Sequence, residues 1–261
     1  MSTTDVPASE PSPQETEISL VVIVQDEEEN IVPFITEVHD HMTLPHQICI
    51  VFDSDDDTTL RKKDEVLRIS PNAVFVKNEL GKGVINAFKT GFGVAKAPYV
   101  VPIMADLSDT PETINLMYAK IREGYDLVVG SRYCPGGKKI GGPFLKYLLS
   151  YLANMSLHWL TGIPTHDMTN AFIMHRKEIL DQIHIRSTGG FEITMEIIAK
   201  SIILGAKVTE VPTINRERVG GKSKFKILKW MVKYLYWYFY ILGFSVIHRI
   251  TAHYLEDTRK Q

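Results

Sequence analysis

Carboxylates that close apolar runs are the residues best placed for chemistry in this sequence. Asp106 and Asp109 come directly after the run Tyr99-Val100-Val101-Pro102-Ile103-Met104-Ala105. Asp26 and Glu27 follow Ile18–Val24 in the same way, and Asp53 follows Gln47–Phe52, with Asp55, Asp56 and Asp57 close behind. A short uncharged run bounded by turn residues suits a strand buried on both faces, and ligands of open α/β sheets bind just beyond the carboxyl ends of such strands. Acid is thus delivered repeatedly to one edge of a sheet. Gly81-Lys82-Gly83 at a helix start suits a phosphate or sugar, because the backbone can approach closely and free N–H groups point outward. Arg132 belongs to a Gly-rich loop expected to be mobile. Arg216, Arg218, Lys222 and Lys224 share a loop with Gly220 and Gly221, the composition of a diphosphate clamp or of a solvated basic loop. His166 beside Asp167 could do acid and base work, with a hydrogen-bonded turn as the plainer alternative. Glu192 and Glu196 lie one helical turn apart, and one of them is expected to reach the site.

The elements that must position these groups recur as strand, acidic turn and helix. Ile18–Val24 is β-branched and leads to a helix from Ile31 to about His41. The strand Gln47–Phe52 precedes a helix beginning near Thr58, whose start Asp55 and Asp56 would cap. Asp53, Asp55 and Asp57 also have the odd-position spacing of a calcium loop, but Thr58 stands where that loop needs Gly and no helix precedes it. Ala73–Val76 reads as a third strand, with a helix after Gly83 whose one face carries Val84, Ala87, Phe88, Gly91 and Ala95. After the central run, Thr110 is the expected N-cap, Pro111 the first helical residue, and Ile114, Met117 and Ile121 the buried stripe. Asp126–Val129 is a further strand, Phe144 to about Leu160 a helix, and Lys207–Ile214 a strand-like segment.

Length and composition set the frame. A chain of 261 residues holds one large α/β domain, and its formal net charge of -2 gives no global argument for nucleic acid, so none is expected as a partner. The two cysteines, Cys49 and Cys134, make no metal-ligand spacing and suit a reducing compartment. The first sixteen residues are rich in Pro, Ser, Thr and Glu and read as a disordered tail.

The order of these pieces resembles the family 2 inverting glycosyltransferases, in particular their polyprenyl-phosphate (dolichol-phosphate) mannosyltransferase-like branch. Asp26-Glu27 resembles that family's Asn-Glu, Phe52-Asp53-Ser54-Asp55 its Asp-Asp-Gly-Ser, and Gly81-Lys82-Gly83 its Gly-Leu-Gly. Met104-Ala105-Asp106-Leu107 is similar to its Asp-Ala-Asp-Leu, and Gly130-Ser131-Arg132-Tyr133 is unaltered. Asp167-Met168-Thr169-Asn170-Ala171-Phe172-Ile173 resembles Asp-x-Thr-Ser-Gly-Phe-Arg, and Arg218, Gly221, Ser223 and Lys224 match the closing Arg-x-x-Gly-x-Ser-Lys.

The resemblance implies a Rossmann-like nucleotide-diphosphosugar transferase (GT-A) fold over 17–225 with a mostly parallel sheet. It implies transfer of a sugar, with inversion, from a GDP- or UDP-sugar to a polyprenyl (dolichyl) phosphate. Val24, Asp26, Glu27, Asp53, Gly81, Lys82, Gly83, Met104, Ala105, Asp106, Arg132, Arg218 and Lys224 would line the donor site, with Asp53 at the base. Asp106, Arg132 and Arg218 would carry the chemistry, since a departing nucleoside diphosphate needs a divalent cation, Mg²⁺ or Mn²⁺, and basic side chains against its charge. Met104 stands where the family has an acid, and a thioether is a poor ligand for such ions, so Asp109 or Ser108 would complete the metal set. The same Met104 sustains an alternative, a catalytically impaired binding subunit of a membrane complex; a phosphatase using Asp106 and Asp109 would leave the Gly-Ser-Arg-Tyr motif unexplained.

The segment 226–261 forms the last unit. Tyr234 to Ile247 carries no charge, and Lys222, Lys226, Lys229 and Lys233 recur at helical spacing just before it. A helix lying on the cytoplasmic face of a membrane is expected, with packing on the domain or on another copy or subunit, or a membrane span starting near Ile227 with Lys233 as its obstacle, as the alternatives.

Overall fold

The computed structural model describes residues 16–217 and 231–245. Its centre is a seven-stranded sheet in the order β3-β2-β1-β4-β7-β5-β8. These strands are β1 (Ile18–Ile23), β2 (His46–Phe52), β3 (Val74–Lys77), β4 (Tyr99–Met104), β5 (Leu127–Ser131), β7 (Ile173–Arg176) and β8 (Val208–Pro212). β1 pairs in parallel with β2 and β4, and β7 alone runs antiparallel, between β4 and β5. A two-residue ribbon, β6 (Lys138–Lys139) against β9 (Ile214–Asn215), stands apart from the sheet.

Alternation along the strands explains the layers. Leu20 and Val22 turn to one face and pack with Phe34 and Ile35 of α1 (Ile31–His41) and Ile114 and Met117 of α4 (Glu112–Arg122). Val21 and Ile23 turn to the other, where Phe88 and Phe92 of α3 (Val84–Val94) and Ile197 and Ile198 of α7 (Ile193–Ile203) cover them. Both faces being covered, β1 is buried along its whole length, as its uncharged sequence requires.

The remaining helices are α2 (Lys63–Ile69), α5 (Phe144–Thr161), α6 (Lys177–Leu180) and α8, described over 231–245. Helix α8 buries Trp237 and Ile241 in the same cluster as α3 and α7, while Val232, Tyr236 and Phe239 stay exposed. Among the described residues no helix is long and apolar enough to cross a membrane. Residues 1–15 of the expected tail, and Lys222, Lys226 and Lys229, lie outside the described residues.

Two helix starts differ from expectation. Thr110 does not cap α4: its hydroxyl donates to the Ile214 carbonyl at 2.9 Å, tying this turn to β9, and Pro111 occupies the capping position. Asp57, rather than Asp55 or Asp56, caps the 3-10 turn Thr58–Lys62 by accepting from the Thr59 N–H at 3.0 Å.

Candidate active site

The strand order reverses between β1 and β4, so the crevice at their carboxyl ends is the natural ligand site. Asp26 and Leu107 sit there with φ of 59° and 60°, the left-handed region that side-chain-bearing residues seldom enter. Such conformations cost about 1–3 kcal/mol each and persist where surrounding contacts enforce them. At Asp26 the contacts come from the β2 side. The Asp57 carboxylate accepts the Asp26 N–H at 3.1 Å, and the Thr59 hydroxyl accepts the Glu27 N–H at 3.0 Å.

The acids that suggested a calcium loop therefore diverge. Asp57 holds the first turn, Asp55 pairs with Lys77, and Asp53 reaches the glycine loop. Asp53 accepts from Asn78 Nδ2 at 2.7 Å and from the Gly83 N–H at 2.8 Å, which fixes Gly81-Lys82-Gly83 above the end of β2. Gly81 and Gly83, with φ of 96° and 126°, take conformations there that other residues resist.

At the end of β4, Asp106 accepts the Ser108 N–H at 3.2 Å and Asp109 is buried. Burial, with the neighbouring Asp106 carboxylate adding to it, pushes the Asp109 carboxyl up to about 6, against the pull of a bond from Asn215. That bond runs from Asn215 Nδ2 at 2.9 Å, and Asn215 Oδ1 in turn accepts from Lys139 Nζ at 3.0 Å. The ribbon β6–β9 thus sets a lysine one amide away from the acidic turn.

Among the described residues Arg132 is a cation of the site held by several bonds. Its Nε and Nη2 donate to the two oxygens of Asp167 at 2.7 and 2.8 Å, Nη2 also reaches Thr169 Oγ1, and its own N–H joins the same carboxylate. Asp167 is fully buried, and the guanidinium lies 5.1 Å from the Tyr133 ring centre. The expected mobile loop is instead a tight turn, in which Gly137 N–H donates to Cys134 and a Cβ on Gly137 would stand 2.3 Å from the Ser131 carbonyl oxygen.

Burial and then the charge of Arg132 hold the ammonium groups of both Lys139 and Lys146 below their ordinary value. Lys139 is further lowered by Lys146. Three cations held against one another favour an anion between them. Sequence reasoning found Arg132 but missed Lys139, Lys146 and Asn215. The one local signal was Lys146, the only Asp, Glu, Lys or Arg in the α5 sequence.

Other expected site residues are engaged elsewhere. His166 and Asp167 do not cooperate: the His166 ring turns to Glu210 while Asp167 faces Arg132. Glu192 accepts the N–H groups of Gly189 and Gly190, both at 2.6 Å, and Glu196 those of Arg186 and Ser187 together with Lys200. Both glutamates thus bond within their own segment of the chain. Val24 and Ala105 are buried beneath it, Met104 ends β4, and Ser108 is tied by its carbonyl to the Arg216 N–H. Arg218 and Lys224 lie outside the described residues.

The profile of "Glycosyl transferase family 2" matches residues 19–183, the span holding all three carboxylate turns, Arg132 and Asp167. The chain belongs to glycosyl transferase family 2. It is therefore a glycosyltransferase, with the mostly parallel GT-A-like sheet expected of it. The polyprenol monophosphomannose synthase of Mycolicibacterium smegmatis is 31% identical over 84% of this chain and 88% of its own length. The dolichol-phosphate mannosyltransferase of Pyrococcus furiosus is 30% identical over 80% of this chain, which spans 59% of that protein. Among solved structures, glucosyl-3-phosphoglycerate synthase from Mycobacterium tuberculosis, crystallised with Mn²⁺, UDP and phosphoglyceric acid, superposes with a TM-score of 0.65 at 17% identity. That match covers 88% of this glycosyltransferase and 80% of the other chain.

Proposed function

We propose that this glycosyltransferase moves a sugar, with inversion, from a GDP- or UDP-sugar to the phosphate of a polyprenyl (dolichyl) phosphate at the cytoplasmic face of a membrane. The observation that carries the reading is the bonded path from Lys139 through Asn215 to the buried Asp109, with Arg132 near enough to depress the ammonium groups of both Lys139 and Lys146. One side suits a metal-bound diphosphate, the other a second anion. The two relatives whose names carry polyprenol and dolichol phosphate agree with that acceptor.

Asp106 and Asp109 offer hard oxygen donors of the kind Mg²⁺ and Mn²⁺ take, and bound cation would offset the cost of a buried Asp109 carboxylate. No group of three His, Cys, Asp or Glu that could hold a metal occurs among the described residues, so these two carboxylates would share the ion with the diphosphate itself. When bound, the cation supplies neutralisation of the leaving diphosphate. The base and ribose would lie over β1 and β2, near Val24, Asp26, Glu27 and Asp53 with Gly81 to Gly83 alongside, and the resemblance alone assigns Arg218 and Lys224 to the diphosphate.

A phosphate acceptor is already an anion and needs no base. Its oxygen attacks the sugar carbon, the bond from that carbon to the diphosphate oxygen breaks, and the electron pair leaves on the diphosphate. Arg132, which the resemblance sets beside the donor diphosphate, instead joins Lys139 and Lys146 in holding the acceptor phosphate in line, since its partners Asp167 and Thr169 fix it beside that pair of lysines rather than on the acidic turn. This suits a site in which Asp167, Glu192 and Glu196 are all committed to internal bonds.

Membrane contact has its own support. Helix α5 exposes Phe144, Leu145, Leu149, Leu152, Trp159 and Leu160, and Val232, Tyr236 and Phe239 of α8 are exposed as well. Apolar surface of this kind suits the headgroup region of a bilayer. The free, buried Cys49 and Cys134 suit a reducing side.

The test is transfer of labelled sugar from GDP-mannose, and separately from UDP-glucose, to a polyprenyl phosphate in the presence of Mn²⁺ or Mg²⁺. Wild-type protein should form a lipid-linked product that EDTA abolishes, and Asp106→Asn should remove activity while leaving the melting temperature unchanged. An Asp106→Asn variant with full turnover contradicts the metal assignment.

A further inference from the structure

Glu210, on β8, has a side chain only 14% exposed and takes no part in the chemistry above. Register places it opposite Val129 of β5, the strand from whose end Arg132 emerges. One of its oxygens accepts the His166 N–H at 2.7 Å and the Thr165 hydroxyl at 3.1 Å, and the other meets His166 Nδ1. Behind that ring His158 stacks at 3.9 Å, its own Nδ1 fixed on the Ile163 carbonyl.

The Thr165 hydroxyl is a relay. While donating to Glu210 it accepts the Asp167 N–H at 3.1 Å, and it is itself buried. Asp167 then receives Arg132 through three N–H groups. Two neighbouring strands therefore grip one turn, β8 through Glu210 and β5 through Arg132. A carboxylate at position 210 can accept on both oxygens at once; an apolar residue would leave the His166 N–H and the Thr165 hydroxyl without this partner in a buried place.

We infer that Glu210 is a positioning residue for Arg132, fixing through Thr165 and Asp167 the place at which the guanidinium meets the acceptor phosphate. The inference rests on the reading of Arg132 as an acceptor-phosphate ligand. Small displacements of such a group are costly, since a misplacement of about 1 Å can cost on the order of 100-fold in rate.

The experiment measures the binding of farnesyl phosphate, and of GDP and UDP each with Mn²⁺, by the full-length protein and its variants. Arg132→Ala should weaken farnesyl phosphate binding; if it does not, the phosphate-ligand reading fails and the positioning role goes with it. With that baseline in place, Glu210→Ala should weaken farnesyl phosphate binding by roughly five- to tenfold and leave nucleotide binding within about twofold. Glu210→Gln should restore most of the loss, because its oxygen still accepts from His166 and Thr165 and its amide can donate to the ring nitrogen in the other tautomer. Adding Glu210→Ala to Asp167→Asn should bring no further loss, since both act through one path. Should Glu210→Ala not fold, Thr165→Val removes the relay with little change of shape and is expected to give the same selective loss. Unchanged farnesyl phosphate binding in Glu210→Ala, or equal losses for lipid phosphate and nucleotide, overturns the inference.

Discussion

At the scale of single residues the site is a balance between buried acid and confined base. Asp109 shows the cost. Its folded value near 6 lies above the usual 3.8, so the native state keeps a proton that the unfolded chain releases between those values. Stability from this group therefore falls as pH rises through that window, by roughly 3 kcal/mol in the metal-free protein. Asp109→Asn, which keeps an acceptor for Asn215, should match wild type near pH 4 and melt higher than wild type near pH 8 in EDTA. Equal melting temperatures at both pH values would contradict the burial account. The acid was legible in the sequence because it sits on the turn that ends an apolar strand. Lys139 and Asn215 were not, since they lie 76 residues apart and meet only through the β6–β9 ribbon. His166 and Asp167 misled for a related reason: adjacent residues of an irregular loop can face different strands.

At the scale of elements, most of the sheet could be read from apolar runs, but the reversal of one strand could not. Nothing in Ile173-Met174-His175-Arg176 marks it as antiparallel, and its place between β4 and β5 is set by long-range pairing. That place buries His175 beside Phe92 and lowers its imidazole to about 3. Here the folded value lies below the usual 6.5, so the contribution to stability is complete above 6.5 and is lost as pH falls toward 3. About 2 kcal/mol should be lost by pH 5 through this group alone. His175→Met, uncharged and of similar bulk, should flatten the melting temperature of the protein between pH 6.5 and 5. A variant with the wild-type slope would show that other groups govern acid sensitivity. The 3-10 turn is a second case, in which counting acids suggested a cap at Asp55 or Asp56 and the buried bond to Asp26 selects Asp57.

At the scale of the molecule, the sheet brings acid and base to one edge while α5 and α8 each turn an apolar surface outward. Negative charge placed on that apolar surface separates lipid contact from chemistry: Leu149→Glu with Trp159→Glu should reduce binding to anionic vesicles about tenfold and leave GDP and UDP binding unchanged. The apolar part of that binding should persist at high salt, unlike any contribution from the lysines that precede α8. Full-length protein that ignores vesicles, or variants that bind them as wild type does, would make this face a surface for another protein instead. In the mechanism proposed for this enzyme, the acceptor's phosphate, held by Arg132, Lys139 and Lys146, is the group that attacks the sugar. The most direct measurement offers the enzyme, with Mn²⁺ and GDP-mannose or UDP-glucose, a polyprenyl phosphate and the polyprenol of the same chain length in parallel. Sugar should appear on the phosphate alone, and the polyprenol should remain unglycosylated. Glycosylation of the polyprenol at a comparable rate, or release of the sugar to water at the same rate with either lipid, would contradict the account.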